Sequence, residues 1–263
     1  MLSGYYDRRA IDAKVMRGRH RAVVGGLWDE MGRLQADFLI AHGLLPHHAF
    51  LDVGCGSLRA GVKLVRYLDA GNYFGTDLNE SLLAVGYDIE LASEGLTAKL
   101  PRSSLVADGE FDFSWCPRPI DYALAQSVFT HLPLGLLRRC LERLAGIVKP
   151  GGKFFLTFYE IPNGHPADQP YRHQPGGILS RGDADPYHHR AADVAQCARL
   201  LPWRARSIGE WGHPRAQRMM EFVRTEDARG EPSNAAGMMS QISCTRGLSL
   251  RLRTPCMRVL SNS

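Results

Sequence analysis

Four polar clusters, each placed just after an apolar run, carry the chemistry this sequence can do. Asp52 opens the turn Gly54-Cys55-Gly56, Asp77 ends the run Tyr73-Phe74-Gly75-Thr76, and Asp108 follows Ser104 to Ala107. Gln126, Ser127 and His131 follow Tyr122 to Ala125. A glycine turn lets backbone N–H groups approach a ligand closely at the start of a helix. Asp52, however, puts an acceptor where a pyrophosphate would want donors. A dinucleotide fingerprint, G-x-G-x-x-G, would also require glycine where Arg59 stands. An acidic residue beside such a turn suits a ligand that carries positive charge and hydroxyls. Asp77 lies 21 residues after Gly56, the spacing at which a carboxylate reaches a ribose diol.

The elements that must hold these residues can be read from periodicity. Phe50 to Val53 reads as a buried strand, and a helix is expected from Ser57 to Leu68, with Leu58, Val62, Val65 and Leu68 on one stripe. Tyr73 to Asp77 is a second strand, and Asn79 is a good N-cap for a helix running to about Ser93. Ser104 to Ala107 and Tyr122 to Ala125 are the third and fourth strands. A helix from Leu134 to Val148 is stopped by Lys149-Pro150-Gly151-Gly152, and Phe154 to Tyr159 is the fifth strand. Residues 163 to 187, rich in Gly, Pro, Asp and His, read as a long loop. After a helix at Asp193 to Leu201, two strands (Arg204 to Trp211, Arg218 to Val223) follow with no helix between them. The alternation indicates an α/β fold, a mostly parallel sheet with helices on both faces and an antiparallel hairpin at its edge. In such sheets ligands sit outside the carboxyl ends of the strands, so the polar clusters form one candidate site.

Four motifs occur in order: Leu51-Asp52-Val53-Gly54-Cys55-Gly56, Gly75-Thr76-Asp77, Gln126-Ser127-Val128-Phe129-Thr130-His131-Leu132, and Lys149-Pro150-Gly151-Gly152. Together they resemble the class I S-adenosylmethionine (SAM)-dependent methyltransferases over roughly residues 25 to 224. Gly25-Gly26-Leu27-Trp28 ahead of the core resembles a bacterial subgroup of that family. The resemblance implies a Rossmann-like seven-stranded sheet with a reversed edge strand, and SAM as cofactor. It implies that Asp52, Gly54 and Gly56 line the methionine end, Asp77 the ribose and Asp108 the adenine; Cys55, Leu78, Gln126 and Ser127 are counted with them as cofactor-binding. Phe111 is either a core residue or an adenine-stacking ring. Arg59 departs from the glycine-rich pattern; pairing with the SAM carboxylate and facing solvent are both open.

Composition narrows the class. The chain of 263 residues is 44% hydrophobic and 22% charged, ordinary for a soluble globular protein. Its +5 charge is partly concentrated in Arg8, Arg9, Lys14, Arg17, Arg19 and Arg21, read as a solvated basic N-terminal arm over residues 1–24. A methyltransferase domain at 25–224 and a flexible C-terminal tail at 225–263 complete the expected organisation. The six cysteines are scattered without a C-x-x-C pair, so neither a metal site nor a disulfide framework is expected. No apolar run reaches membrane-spanning length and no signal peptide is evident, which points to a cytoplasmic protein.

The acceptor is approached by elimination. Gln126-Ser127-Val128-Phe129 is not the Asp/Asn-Pro-Pro-aromatic segment of nucleobase amino methylation, and no Pro-Cys pair follows the fourth strand. Nucleic acid is thus an unlikely partner, and a small molecule offering an O or N nucleophile is the residual reading. A hydroxyl needs a base; His131 leads, with His188, His189 and Glu160 in reserve. The alternatives are an RNA or protein methyltransferase guided by the basic arm, or a SAM-binding protein without turnover.

Overall fold

The computed structural model describes residues 4–226. The expected tail lies outside the described residues from position 227 onward, as do Cys244 and Cys256. The chain opens with α1 (Arg8–Met16), α2 (His20–Val23) and α3 (Trp28–Ala41), then β1 (Phe50–Val53) and α4 (Gly61–Tyr67). β2 (Tyr73–Asp77) leads into α5 (Glu80–Val85), which continues as a π-helical turn over Gly86–Leu91. β3 (Leu105–Ala107), β4 (Ile120–Ala125), α6 (Leu134–Leu144) and β5 (Val148–Glu160) follow. Three two-residue strands, β6 (Tyr171–Arg172), β7 (Leu179–Ser180) and β8 (His188–His189), precede α7 (Ala191–Gln196), β9 (Trp203–Gly209) and β10 (Gln217–Arg224).

The main sheet has the order β3-β2-β1-β4-β5-β10-β9. β1 to β5 pair in parallel, and β10 runs antiparallel to both β5 and β9. The hairpin stands at the sheet edge, with its reversed member one strand in: β10 inserts beside β5, and β9 takes the edge. β8 pairs with Tyr159 and Glu160 at the end of β5 and makes the sheet eight-stranded, one more than the seven expected. The order reverses between β1 and β4, which opens a crevice above their carboxyl ends. β1, β4 and the later part of β5 are buried on both faces, as in sheets covered by helices on either side, whereas the edge strands β3 and β9 are more exposed. One apolar cluster joins β4, β5 and α6 through Phe154, Leu137 and Leu141, and a second joins β1, α3 and α4 through Phe50, Leu39 and Leu64.

Three local readings change. The helix after the glycine turn starts at Gly61 instead of Ser57, because Leu58 is fully buried with φ 67, a left-handed conformation that interrupts a helix. Lys149 to Gly152 belong to β5, and the helix before them ends at Leu144. The long loop is partly built: β6 and β7 pair, β8 joins the main sheet, and the Tyr187 N–H donates to the Thr130 carbonyl at 2.7 Å.

The N-terminal arm is not simply solvated. Ile11 and His20 are buried against the rest of the protein. Glu90, on the π-helical turn, accepts from Arg21 Nε and Nη2 at 2.7 Å each and lies 2.6 Å from His20 Nε2. Burial alone would raise the Glu90 carboxyl, but its bonds to Arg21 and His20 hold it below the ordinary value. The arm's final turn is gripped from two sides. Arg59 Nη1 donates to the carbonyls of Val24 (2.7 Å) and Gly26 (2.9 Å), and Arg215 Nη2 donates to that of Gly25 (2.8 Å). A Cβ on Gly25 would stand 2.9 Å from Arg215 Nη1, on a backbone with φ +90, so glycine permits the approach. The Arg21 guanidinium sits over Trp28 at 4.7 Å from the ring centre. The Gly-Gly-x-Trp segment thus latches the arm onto the core.

Candidate active site

A cleft enclosing about 1040 Å³, its open mouth included, lies at the reversal of strand order. Asp52, Gly54, Cys55 and Gly56 line it from the end of β1, and Asp77 and Leu78 from β2. Asp108 lines it after β3, and Gln126, Ser127 and His131 after β4. All the residues singled out from these four strand ends share this one cavity. Glu160, His188 and His189 are not among its walls. Glu160 instead stands 3.9 Å from Arg218. His188 lies in a buried chain in which the Ser180 hydroxyl is 2.8 Å from His188 Nδ1 and 2.6 Å from His173 Nε2.

The floor of the cleft is the glycine turn. Gly54 has φ +75, and a Cβ there would collide with the Val128 side chain; a Cβ on Gly56, φ +55, would come within 2.5 Å of Val24 Cγ1. Both positions therefore need glycine for conformation and for space. Cys55, between them, has its thiol pushed well up by burial and by the two nearby aspartates, which makes it a packing residue at neutral pH.

Two carboxylates face this floor. Asp52 is buried and accepts the Tyr73 hydroxyl at 2.8 Å. Burial pushes its carboxyl up to about 7, against the Tyr73 hydrogen bond; Asp77 adds to the rise and Arg59 offsets part of it. Asp77 is also raised by burial, opposed by N–H donors from Asn79 (2.9 Å) and Gly56 (2.9 Å). Asp77 therefore ties the glycine turn to the start of α5, while Asn79 makes no side-chain cap. Each Asp77 oxygen keeps acceptor capacity for a further donor.

Asp108 is committed to its own turn, its oxygens accepting from the N–H groups of Glu110 (2.8 Å) and Asp112 (2.9 Å). Phe111 stacks on Phe129 within the core and also borders the cleft. Ser127 takes a left-handed conformation, φ 60. Its N–H donates to Thr157 Oγ1 at 2.7 Å, and its hydroxyl meets Gln217 Oε1 at 2.9 Å. Strain of this kind, fixed by surrounding hydrogen bonds, is common at functional sites. Arg59 is buried, lines the cleft and donates from Nη2 to Gln126 Oε1 at 2.7 Å. Solvent exposure is excluded for it.

Three contributors lack a local sequence signal. Tyr6 and Val24 reach the cleft from the arm, whose docking depends on long-range contacts. Asp185, from the loop, places Oδ1 2.6 Å from His131 Nδ1 across 54 positions of sequence. A carboxylate on Nδ1 fixes the orientation of the imidazole ring at the cleft.

Strand order and crevice define a Rossmann-like α/β fold built on a mostly parallel sheet. Residues 51–154 match the family model described as a methyltransferase domain. Among solved structures, the chain is similar to magnesium protoporphyrin IX methyltransferase ChlM from Synechocystis PCC 6803 with bound SAH, S-adenosylhomocysteine. That match has 16% identity, covers 83% of this chain and 100% of the other, and has a TM-score of 0.55. A DhpI–SAH complex matches at 15% identity, 83% and 95% coverage and TM-score 0.57. The mitomycin 7-O-methyltransferase MmcR matches at 18% identity, covering 84% of this chain and 60% of that one, with a TM-score of 0.57. At these identities the similarity speaks to the fold. No helix among the described residues is long and apolar enough to cross a membrane.

Proposed function

We propose that this protein transfers a methyl group from SAM to an O or N nucleophile of a small molecule. The observation that carries this reading is the buried Asp52 carboxyl facing a cleft floored by two obligatory glycines. A carboxyl held near neutrality by burial gains most from a cationic partner, and the ammonium group of SAM is one. Asp77 and its open lone pairs suit the ribose hydroxyls, and the Phe111 side of the cleft suits the adenine ring. When bound, SAM supplies an electrophilic methyl group whose C–S bonding pair leaves with sulfur as a neutral thioether. The small-molecule reading is supported by the names of the similar structures, one acting on a magnesium porphyrin and one on mitomycin.

The protein's own contribution is placement and proton handling. Holding two reactants in line is worth up to ~7–11 kcal/mol in well-oriented cases. His131 is the base in this reading: its imidazole, oriented by Asp185, takes the acceptor's proton as the new bond forms. Replacing His131 with Ala is expected to lower kcat by about a hundredfold or more, with SAH affinity unchanged. Asp185 acts through His131. Asp185→Asn is expected to lower kcat about tenfold at unchanged KM for SAM, and Asp185→Glu to recover part of it. An equal loss in both variants, accompanied by weaker SAH binding, would indicate that the contact only supports the loop.

The direct test incubates the full-length protein with methyl-labelled SAM and a cell extract separated into small-molecule and macromolecular fractions. Label is expected in the small-molecule fraction. Its appearance in RNA or protein instead, or in neither fraction, would refute the proposal.

A further inference from the structure

A second hollow of about 850 Å³, mouth included, is lined by Gly4, Ile11, Lys14, Arg19, Val23 and Asp185. The two cavities adjoin, because neighbouring residues line one and the other. The turn Gly4–Tyr6 gives Gly4 to the hollow and Tyr6 to the cleft; α2 and its C-cap give Val23 to one and Val24 to the other. The hydrogen-bonded pair divides in the same way, Asp185 to the hollow and His131 to the cleft. A molecule seated in the hollow therefore lies against the proton-handling pair.

The hollow also has a charge preference. Lys14 and Arg19 form no ion pair among the described residues. The one carboxylate among its described lining residues, Asp185, is engaged with His131. Two cations beside an apolar base of Ile11 and Val23 suit a molecule with an anionic end and an apolar body. A lysine and an arginine together can hold a carboxylate or a phosphate ester by charge-assisted hydrogen bonds. His131, held by Asp185 and lining the adjoining cleft, is a nitrogen base, the partner a hydroxyl requires and a neutral amine does not.

We infer that the methyl acceptor is an anionic hydroxy compound, a carboxylate or phosphate ester whose charged end is taken by Lys14 and Arg19 in this hollow. This inference rests on the methyltransferase reading of the adjoining cleft. The basic arm thereby acquires a role in recognition. α1 and the turn before α2 carry the acceptor's counter-charges, so the acceptor's site depends on the docked arm.

The test uses the full-length protein and begins with a calorimetric titration of SAH. Absence of SAH binding refutes the methyltransferase reading itself, independently of any result with the acceptor probes. The SAH-loaded protein is then titrated with 4-hydroxybenzoate, 4-hydroxyphenyl phosphate and the neutral 4-hydroxybenzamide. At least one anion is expected to bind about tenfold or more tighter than the amide. The double variant Lys14→Met, Arg19→Met is expected to lose that preference while keeping wild-type SAH affinity, which also reports that it is folded. Equal binding of anion and amide, no binding of either anion up to about 10 mM, or an anion affinity unchanged in the double variant would each overturn the inference. So would salt-sensitive binding of a short oligouridylate that the double variant abolishes in the absence of small-anion binding.

Discussion

Asp52→Asn is expected to weaken SAH binding by about a hundredfold while making the ligand-free protein more stable at neutral and alkaline pH. Both effects have one cause. In the wild type the carboxyl sits at about 7 in the folded protein against 3.8 for an ordinary aspartate. Below pH 3.8 the group is protonated whether folded or not, and it costs nothing. As pH rises from there toward 7, only the unfolded chain ionises freely, so folding stability falls. Above pH 7 the penalty is fully present, on the order of 4 kcal/mol by the size of that shift. Asparagine keeps an acceptor for the Tyr73 hydroxyl and removes the charge, so it relieves that penalty. Thermal melts of the two ligand-free proteins should therefore diverge above neutrality and converge in acid. A variant that is less stable at pH above 7, or that binds SAH like the wild type, would contradict this account of the cleft.

The second large effect lies far from the reacting atoms. Glu90→Ala is expected to cost about 3 kcal/mol of stability and to release the N-terminal arm. The side chain of Glu90 is only 4% exposed and holds both His20 and Arg21. Removing it leaves His20 buried without that partner and frees the segment that carries Tyr6 and Val24 to the cleft. Denaturant titration reads the stability loss. Amide exchange should show protection lost through α1 and α2 but kept in β1, β4 and β5. SAH should dissociate faster from the variant than from the wild type. Unchanged arm protection would show that the arm docks without Glu90.

The sequence revealed the cleft better than its surroundings, for a physical reason. Asp52, Asp77, Asp108 and the segment Gln126 to His131 each belong to the end of their own strand. Parallel strands of a doubly wound sheet bring their carboxyl ends together whatever lies between them. Local pattern therefore suffices to gather these residues. Arg59 could not be oriented this way, because its direction is set by the carbonyls of Val24 and Gly26 and by Gln126, all distant in sequence. Asp185 belongs to a loop whose path depends on β8 joining β5 and on Tyr187 bonding Thr130. The helix after the glycine turn began late because Leu58, a good helix former by type, is held left-handed in the core. The charge of the arm masked its docking: Ile11 and His20 are two inward residues among many outward cations.

The central claim is that the glycine-floored cleft binds the methyl donor through an ionised Asp52. Calorimetric titration of SAH across pH tests it most directly. The account predicts one-to-one binding above pH 7, weakening by about tenfold per pH unit below that value as Asp52 must first lose its proton, with proton release on binding in that range. No binding at about millimolar SAH, or an affinity indifferent to pH between about 5 and 8 while the ligand's own ammonium group stays charged, would contradict it.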